Sequence, residues 1–184
     1  MKLRNLVLFL IALMVLAADQ ASKAWVIENI PLNTTYDIIP PLKDFFVLTY
    51  ITNAGAAFGL FPQLSIVFTF VALIVSFAIV WYYRSIPAGQ WLVRVSLGLQ
   101  LGGAIGNLID RLRFGYVTDM LYVSYFPVFN IADSAIVTGV CLLMFHLSRT
   151  PPQPAPVEQP GASTPTEAQD KGETPSDGLE QPQP

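Results

Sequence analysis

Four apolar runs, each close to the length of a membrane-crossing helix, constrain this 184-residue chain more than any other feature. They occupy about residues 6–27, 64–83, 91–109 and 131–147. A helix rises ~1.5 Å per residue and the hydrocarbon layer is ~30 Å thick, so roughly 20 residues make a crossing. Apolar residues form 53% of the chain and charged residues only 12%, against the roughly 25% charged of an ordinary soluble domain. The expected fold is therefore an all-α multi-pass membrane protein of four transmembrane helices. Trp25, Trp81 and Trp91 fall at run ends, where aromatic rings favour the membrane interface. A single cysteine excludes an internal disulfide framework and any multi-cysteine metal site.

The first run follows Lys2 and Arg4, as a cleavable signal peptide would. Cleavage after Ala18 would place Leu16 where a small residue is wanted, and the run continues through Trp25-Val26-Ile27, so a retained span is expected. Two regions differ sharply in charge. Residues 1–149 hold nine bases and seven acids, a charge of +2, and form the expected four-helix domain. Residues 150–184 hold one base and six acids, a charge of −5, with nine of the fifteen prolines and no aromatic residue. That tail has nothing apolar to offset ordering entropy and is expected to be disordered.

With the N-terminus inside, Lys2, Arg4, Arg84, Arg94 and Arg149 are cytoplasmic, and both termini share that side. The loop of about residues 28–63 then lies outside. Within it, Phe45–Thr52 is rich in β-branched and aromatic residues and reads as a strand, broken by Gly55 and Gly59, which predicts a small β-element on the outer surface.

This topology sends the polar residues of the apolar runs to one level. Asp19 and Lys23 fall in the outer half of span one, Asp110 and Arg111 end span three, Asp119 lies in the outer loop, and Asp133 opens span four. Asn53, Asn107 and Asn130 join them. Ionisable groups at membrane depth are costly, which makes each a functional candidate. Asp19 and Lys23 stand i, i+4 on one helix face, as do Gly103, Asn107 and Arg111 at i, i+4, i+8. Gly98, Gly102 and Gly106 form a small-residue stripe open to close helix approach. Taken singly, each has a plainer reading. Asp19 with Lys23 is a neutralising pair, Asp110 and Arg111 are interfacial charges, Asp119 is an exposed acid, and Asn130 with Asp133 is a helix cap. Their joint placement is what those readings leave out.

Other constellations fall away. Ser22 and Lys23 are sequence neighbours ~100° apart on a helix and cannot form a dyad. Cys141 reads as a small core residue and His146 as an interfacial one. No histidine cluster exists to bind zinc.

The segments Asp19-Gln20-Ala21-Ser22-Lys23, Asn53-Ala54-Gly55-Ala56-Ala57-Phe58-Gly59, Gly103-Ala104-Ile105-Gly106-Asn107-Leu108-Ile109-Asp110-Arg111, Val117-Thr118-Asp119 and Phe129-Asn130-Ile131-Ala132-Asp133-Ser134 occur in this order. In them the chain resembles the lipoprotein signal peptidase (signal peptidase II) family of bacterial membrane aspartyl peptidases, over residues 5–148. The resemblance implies an endopeptidase of the cytoplasmic (inner) membrane that removes signal peptides from diacylglyceryl-modified prolipoproteins. It implies a cut on the N-terminal side of the lipidated cysteine, at the periplasmic face. It implies Asp119 and Asp133 as the catalytic pair, supported by Asp19, Lys23, Asn53, Gly103, Asn107, Arg111, Asn130 and Ala132. Four helices and a small periplasmic β-element belong to the same implication. Prolipoprotein and membrane lipid are the expected partners of a monomer, with no cofactor, no metal and no nucleic acid. The rival class, a small transporter using the polar cluster as a relay, needs ionisable groups spread through the bilayer depth. A membrane scaffold docking through its tail leaves the acid placement unexplained.

Overall fold

A computed structural model describes residues 3–37, 39–42, 45–55, 65–87 and 89–149. Four helices occupy the four apolar runs: α1 Leu3–Asn29, α2 Ser65–Tyr82, α3 Trp91–Phe114 and α4 Ile131–Arg149. All four are long and apolar enough to cross a membrane, and the chain is a membrane protein. Trp25, Trp81 and Trp91 are exposed near helix ends, as interfacial rings should be. Residues 56–64, which include part of the second motif with Gly59, and the tail 150–184 lie outside the described residues.

α3 is the central helix, and its glycines explain why. A Cβ on Gly98 would meet the Leu8 carbonyl oxygen at 2.8 Å, and one on Gly102 would meet the Ala12 carbonyl oxygen at 2.6 Å. The stripe therefore seats the backbone of α1 directly on α3. Gly103 presents the neighbouring face to the Ala132 carbonyl of α4, and further down α4 Gly139 lies against the Ser96 carbonyl oxygen of α3. Small residues on two faces of α3 thus bring α1 and α4 close enough for their polar side chains to meet.

Beyond the helices stands a three-stranded antiparallel sheet in the order β1-β2-β3, with β1 Thr35–Tyr36, β2 Phe46–Asn53 and β3 Val117–Val123. The strand expected at 45–52 is β2. Its register sets Asn53 opposite Val117 and Ile51 opposite Asp119, with a shift between Leu48 and Ile51. The last turn of α1 seats the sheet, where Val26 and Ile30 pack under Leu48 and Met120.

Two expectations are corrected. Asp110 and Arg111 do not end span three. α3 continues to Phe114, because side-chain polarity does not interrupt backbone hydrogen bonding. The helix stops at Gly115, whose φ of 80° is the left-handed conformation glycine tolerates and whose N–H bonds the Arg111 carbonyl at 3.0 Å. Asp119 does not lie in a loop. The run Val117–Val123 is β-branched and aromatic for the most part, and it pairs with a strand more than 60 residues earlier. Only two residues separate α3 from β3, so Asp119 is held just above the end of α3.

Candidate active site

The sheet-bearing end of the bundle collects the second half of α1, the last turns of α3, the first turn of α4 and the ends of β2 and β3. Two connected polar networks form there. The deeper one is built around Lys23, only 2% exposed. Its ammonium pairs with Asp19 at 2.8 Å and Asp110 at 3.0 Å, and donates to Asn107 Oδ1 at 3.0 Å. Asp19 Oδ1 accepts the backbone N–H of Ala132 at 2.9 Å, and Asp110 Oδ2 accepts that of Thr118 at 3.0 Å. Gln20 Nε2 donates to Asp110 Oδ1 at 3.0 Å and lies 3.2 Å from Asp19 Oδ2. Buried charges are tolerable only when paired and hydrogen-bonded in this way. Asp19 therefore does form the neutralising pair with Lys23, but the pair also fixes two other elements. Through Ala132 it holds the start of α4, and through Asp110 and Thr118 it holds the residue before Asp119.

The second network surrounds Asp119 and Asp133. Asp119 Oδ1 accepts from Asn130 Nδ2 at 2.8 Å and Oδ2 from Asn53 Nδ2 at 2.9 Å. Asp133 Oδ1 accepts from Asn107 Nδ2 at 2.7 Å. Asn130 also caps α4: its Oδ1 accepts the Asp133 N–H at 2.8 Å, and Asp133 Oδ2 accepts the Asn130 N–H at 3.3 Å. This is a reciprocal capping box. The cap reading of Asn130 and Asp133 is thus correct locally, while the same Asn130 amide reaches across to Asp119. Asn107 joins the networks, since its oxygen faces Lys23 and its nitrogen faces Asp133.

Asp119 and Asp133 line one cavity of about 440 Å³, with Asn53, Asn107, Arg111 and Phe126 also in its wall. Arg111 is half-buried, donates to the Asn107 carbonyl at 3.4 Å, and stacks its guanidinium over Phe68 at 5.6 Å. Asp119 is 2% exposed, against the exposed acid expected of a loop position. Burial, with the Asp133 charge adding to it, pushes its carboxyl up to about 7, while the amides of Asn53 and Asn130 pull the other way. Such a group exchanges a proton near neutral pH.

All ten residues that the resemblance marks out stand at this end of the bundle. Gly103 and Ala132 act through their backbones, the first by close approach to α4 and the second by its N–H to Asp19. Two further members, Gln20 and Asp110, were not among the ten. Both lie inside the quoted segments, and Asp110 follows Asn107 at i+3, a spacing that puts it on the same helix face. Ser22 donates to the Asp19 carbonyl at 2.8 Å and takes no part with Lys23. Cys141 corrects another expectation: it is exposed on the outside of α4, where a small residue of a spanning helix faces lipid as readily as protein. Among the described residues, no three His, Cys, Asp or Glu side chains gather closely enough to ligate a metal ion.

Fold and site together define a polytopic membrane protein with two carboxylates opening on one cavity at an end of its helix bundle. Residues 11–149 match the family described as signal peptidase (SPase) II. A lipoprotein signal peptidase of Moorella thermoacetica is 50% identical over 138 residues, covering 75% of this chain and 90% of that one. One from Halothermothrix orenii is 44% identical over 140 residues, 76% of this chain and 93% of its own. A solved bacterial membrane enzyme superposes with a TM-score of 0.69 at 29% identity, covering 80% of this chain and 94% of its own. The chain belongs to the signal peptidase II family and is an aspartyl peptidase.

Proposed function

We propose that Asp119 and Asp133 hydrolyse the signal peptide bond of diacylglyceryl-modified prolipoproteins, on the N-terminal side of the lipidated cysteine. Removal of signal peptides from prolipoproteins follows from family membership. The observation that carries the residue assignment is the shared cavity wall of the two carboxylates, each held by amide donors. Two close carboxyls share one proton, because like charges resist simultaneous ionisation. Asp133 takes a proton from a water held between them as the water attacks the scissile carbonyl. Asp119, carrying the shared proton, donates to the carbonyl oxygen. The tetrahedral intermediate collapses with C–N cleavage as the proton on Asp133 passes to the leaving amine and a hydroxyl of the intermediate returns a proton to Asp119, which restores the singly protonated pair. The scheme uses no cofactor.

Asn107 orients Asp133, and Lys23 polarises the Asn107 amide through its oxygen. Asn53 and Asn130 aim Asp119, and Arg111 supports the cavity wall. Asp19, Lys23, Gly103 and Ala132 hold α1, α3 and α4 together. A neighbouring apolar cavity lined by Phe68, Val71, Ala72 and Val75 opens between the helices and reaches Asp133. It suits the substrate's lipid chains and apolar signal segment, which arrive from the bilayer. In this reading the protein acts as a monomer in the bacterial inner membrane, with both termini cytoplasmic and the site at the periplasmic face, and residues 150–184 form a separate appended segment.

The test is Asp119→Asn and Asp133→Asn, made separately in the purified enzyme. Each should lower turnover of a diacylglyceryl-prolipoprotein by ~10³-fold or more while the thermal transition stays in place. Near-normal turnover from either variant sinks the pair. Strong inhibition by a chelator would point to a metal instead.

A further inference from the structure

The cavity of about 270 Å³ between α2, α3 and α4 has one wall residue that the cleavage chemistry leaves unused. Asn107, Arg111 and Asp133 line the end nearest the carboxylate pair, and all three have partners within the protein. Most of the remaining wall is apolar, including Val75 of α2, Ala104 of α3 and Ile136 of α4. Gln100 is the exception. Its Nε2 is buried and has no hydrogen-bond partner among the described residues. The stem of the same side chain is held from the other side. A Cβ on Gly139 would meet Gln100 Cγ at 2.8 Å, so the bare backbone of α4 seats that stem in the seam between α3 and α4. Buried polar groups are paired as a rule, and polar groups inside a membrane line ligand paths. The terminal torsion of a glutamine is broad and twofold, so its NH₂ group turns into the cavity without strain.

An occupant that satisfies this amide must bring an acceptor into an apolar space. A helical signal segment does not, because its backbone carbonyls are bonded within the helix. A diacylglyceryl group does. Each ester carbonyl is an acceptor with no donor of its own, and hydrocarbon supplies none. The spacing agrees. Gln100 and Asn107 share a face of α3 two turns apart, ~10 Å along the axis, and Asn107 holds Asp133. From the cysteine Cα through the thioether to the nearer ester carbonyl is about six bonds of ~1.5 Å, or roughly 8 Å when extended. With the scissile bond at the carboxylate pair, that carbonyl comes to the depth of Gln100, and the acyl chains run on into the bilayer. We propose that Gln100 donates a hydrogen bond to an ester carbonyl of the substrate's diacylglyceryl group, which makes the enzyme favour ester-linked over ether-linked lipid. The inference rests on the proposed cleavage site and adds a residue that reads the lipid linkage.

The experiment uses the full-length enzyme in liposomes and two synthetic prolipoprotein peptides that differ only in the lipid. One carries the diacyl ester, the other a dialkyl ether of equal chain length. For the wild type, kcat/KM should favour the ester by about three- to tenfold, the worth of one neutral hydrogen bond. In Gln100→Leu the ratio, taken within the one enzyme, should fall to about one. Gln100→Met keeps an unbranched stem against Gly139 and should give the same result. Because an apolar group replaces an unpaired amide, neither variant should have a lower thermal transition than the wild type. A wild-type ratio of one overturns the proposal, as does an equal loss on both substrates in the variants, which is what a merely structural role would give. A lower thermal transition in both variants would reveal a partner for the amide within the protein and overturns it too. Failure of the wild type to cleave the diester at all strikes the cleavage assignment on which the proposal rests, whereas cleavage of both lipids at equal kcat/KM strikes the role of Gln100 alone.

Discussion

The Asp19 carboxylate accepts the backbone N–H of Ala132 at 2.9 Å, tying α1 to the first turn of α4 across 113 residues of chain. An anionic acceptor at a helix N-terminus satisfies an orphan donor and complements the helix dipole. Because Ala132 directly precedes Asp133, this bond also helps set where Asp133 stands. Asp19→Ala removes the acceptor from a fully buried N–H and should cost about 2–3 kcal/mol. At roughly 2–4 °C per kcal/mol for a chain of this size, the thermal transition should fall by ~5–10 °C. Asp19→Asn keeps an oxygen for Ala132 and should lose less. An unchanged transition in Asp19→Ala would show that the bond is not holding α4.

Lys23 is the cation between two buried carboxylates. Lys23→Met leaves Asp19 and Asp110 facing each other without it, a cost of about 3–5 kcal/mol. The variant should be less stable than Asp19→Ala, and adding Asp110→Asn should restore part of the loss by removing one of the uncompensated charges. A double variant no more stable than Lys23→Met alone would contradict the pairing. Thermal unfolding in one detergent measures all three.

The proposed mechanism needs a proton on the carboxylate pair, and Asp119 titrates at about 7. As pH rises through that value the proton is lost, so kcat/KM should fall tenfold per unit above it. Asn53 donates to the ionised form of Asp119 and so pulls its titration down. Asn53→Ala removes that donor, and the alkaline limb should move to higher pH even as the maximal rate drops. A limb that stays put, or moves to lower pH, excludes Asp119 as the proton carrier.

Gly102 stands where a methyl group would lie 2.6 Å from the Ala12 carbonyl oxygen, a backbone atom that cannot swing aside. Gly102→Ala should destabilise by about 1–3 kcal/mol through forced separation of α1 and α3. Gly89, in the connection between α2 and α3, has no atom within 4 Å of the same position, so Gly89→Ala serves as the matched control. Equal thermal transitions for the two variants would refute close packing along the stripe.

The family match ends at residue 149. Removing residues 150–184 should therefore leave kcat/KM on a prolipoprotein substrate unchanged within assay error. A clear loss would place part of the machinery in the tail.

The four spans are legible in the amino-acid sequence because hydropathy over some 20 residues is a local property. The same holds for the gathering of Asp19, Lys23, Asn107, Arg111 and Asp133 at one end. Alternating the direction of successive spans places each residue's depth without knowing which helices touch. The capping box of Asn130 and Asp133 also depends only on residues close by in the chain, whereas the stop of α3 at Gly115 lies beyond the end expected for that span. β3 was not legible, since a seven-residue strand interrupted by an acid gains its stability from β2, a partner far away in the chain. Asp110 was visible at the right depth and Gln20 within a motif, but neither showed itself as a member of the Lys23 network.

The sequence alone determined that this chain crosses a membrane four times and carries its costly polar groups to one end. Tertiary structure decided the partners: that Lys23 pairs with both Asp19 and Asp110, that Asn130 reaches Asp119 while capping Asp133, and that both acids open on one cavity. The physical reason is range. Burial of apolar area is summed residue by residue, whereas a hydrogen bond falls off within a few tenths of an ångström. The separation between α1, α3 and α4 is set by the glycine faces of the helices, and only once they are packed does each carboxylate acquire its donors.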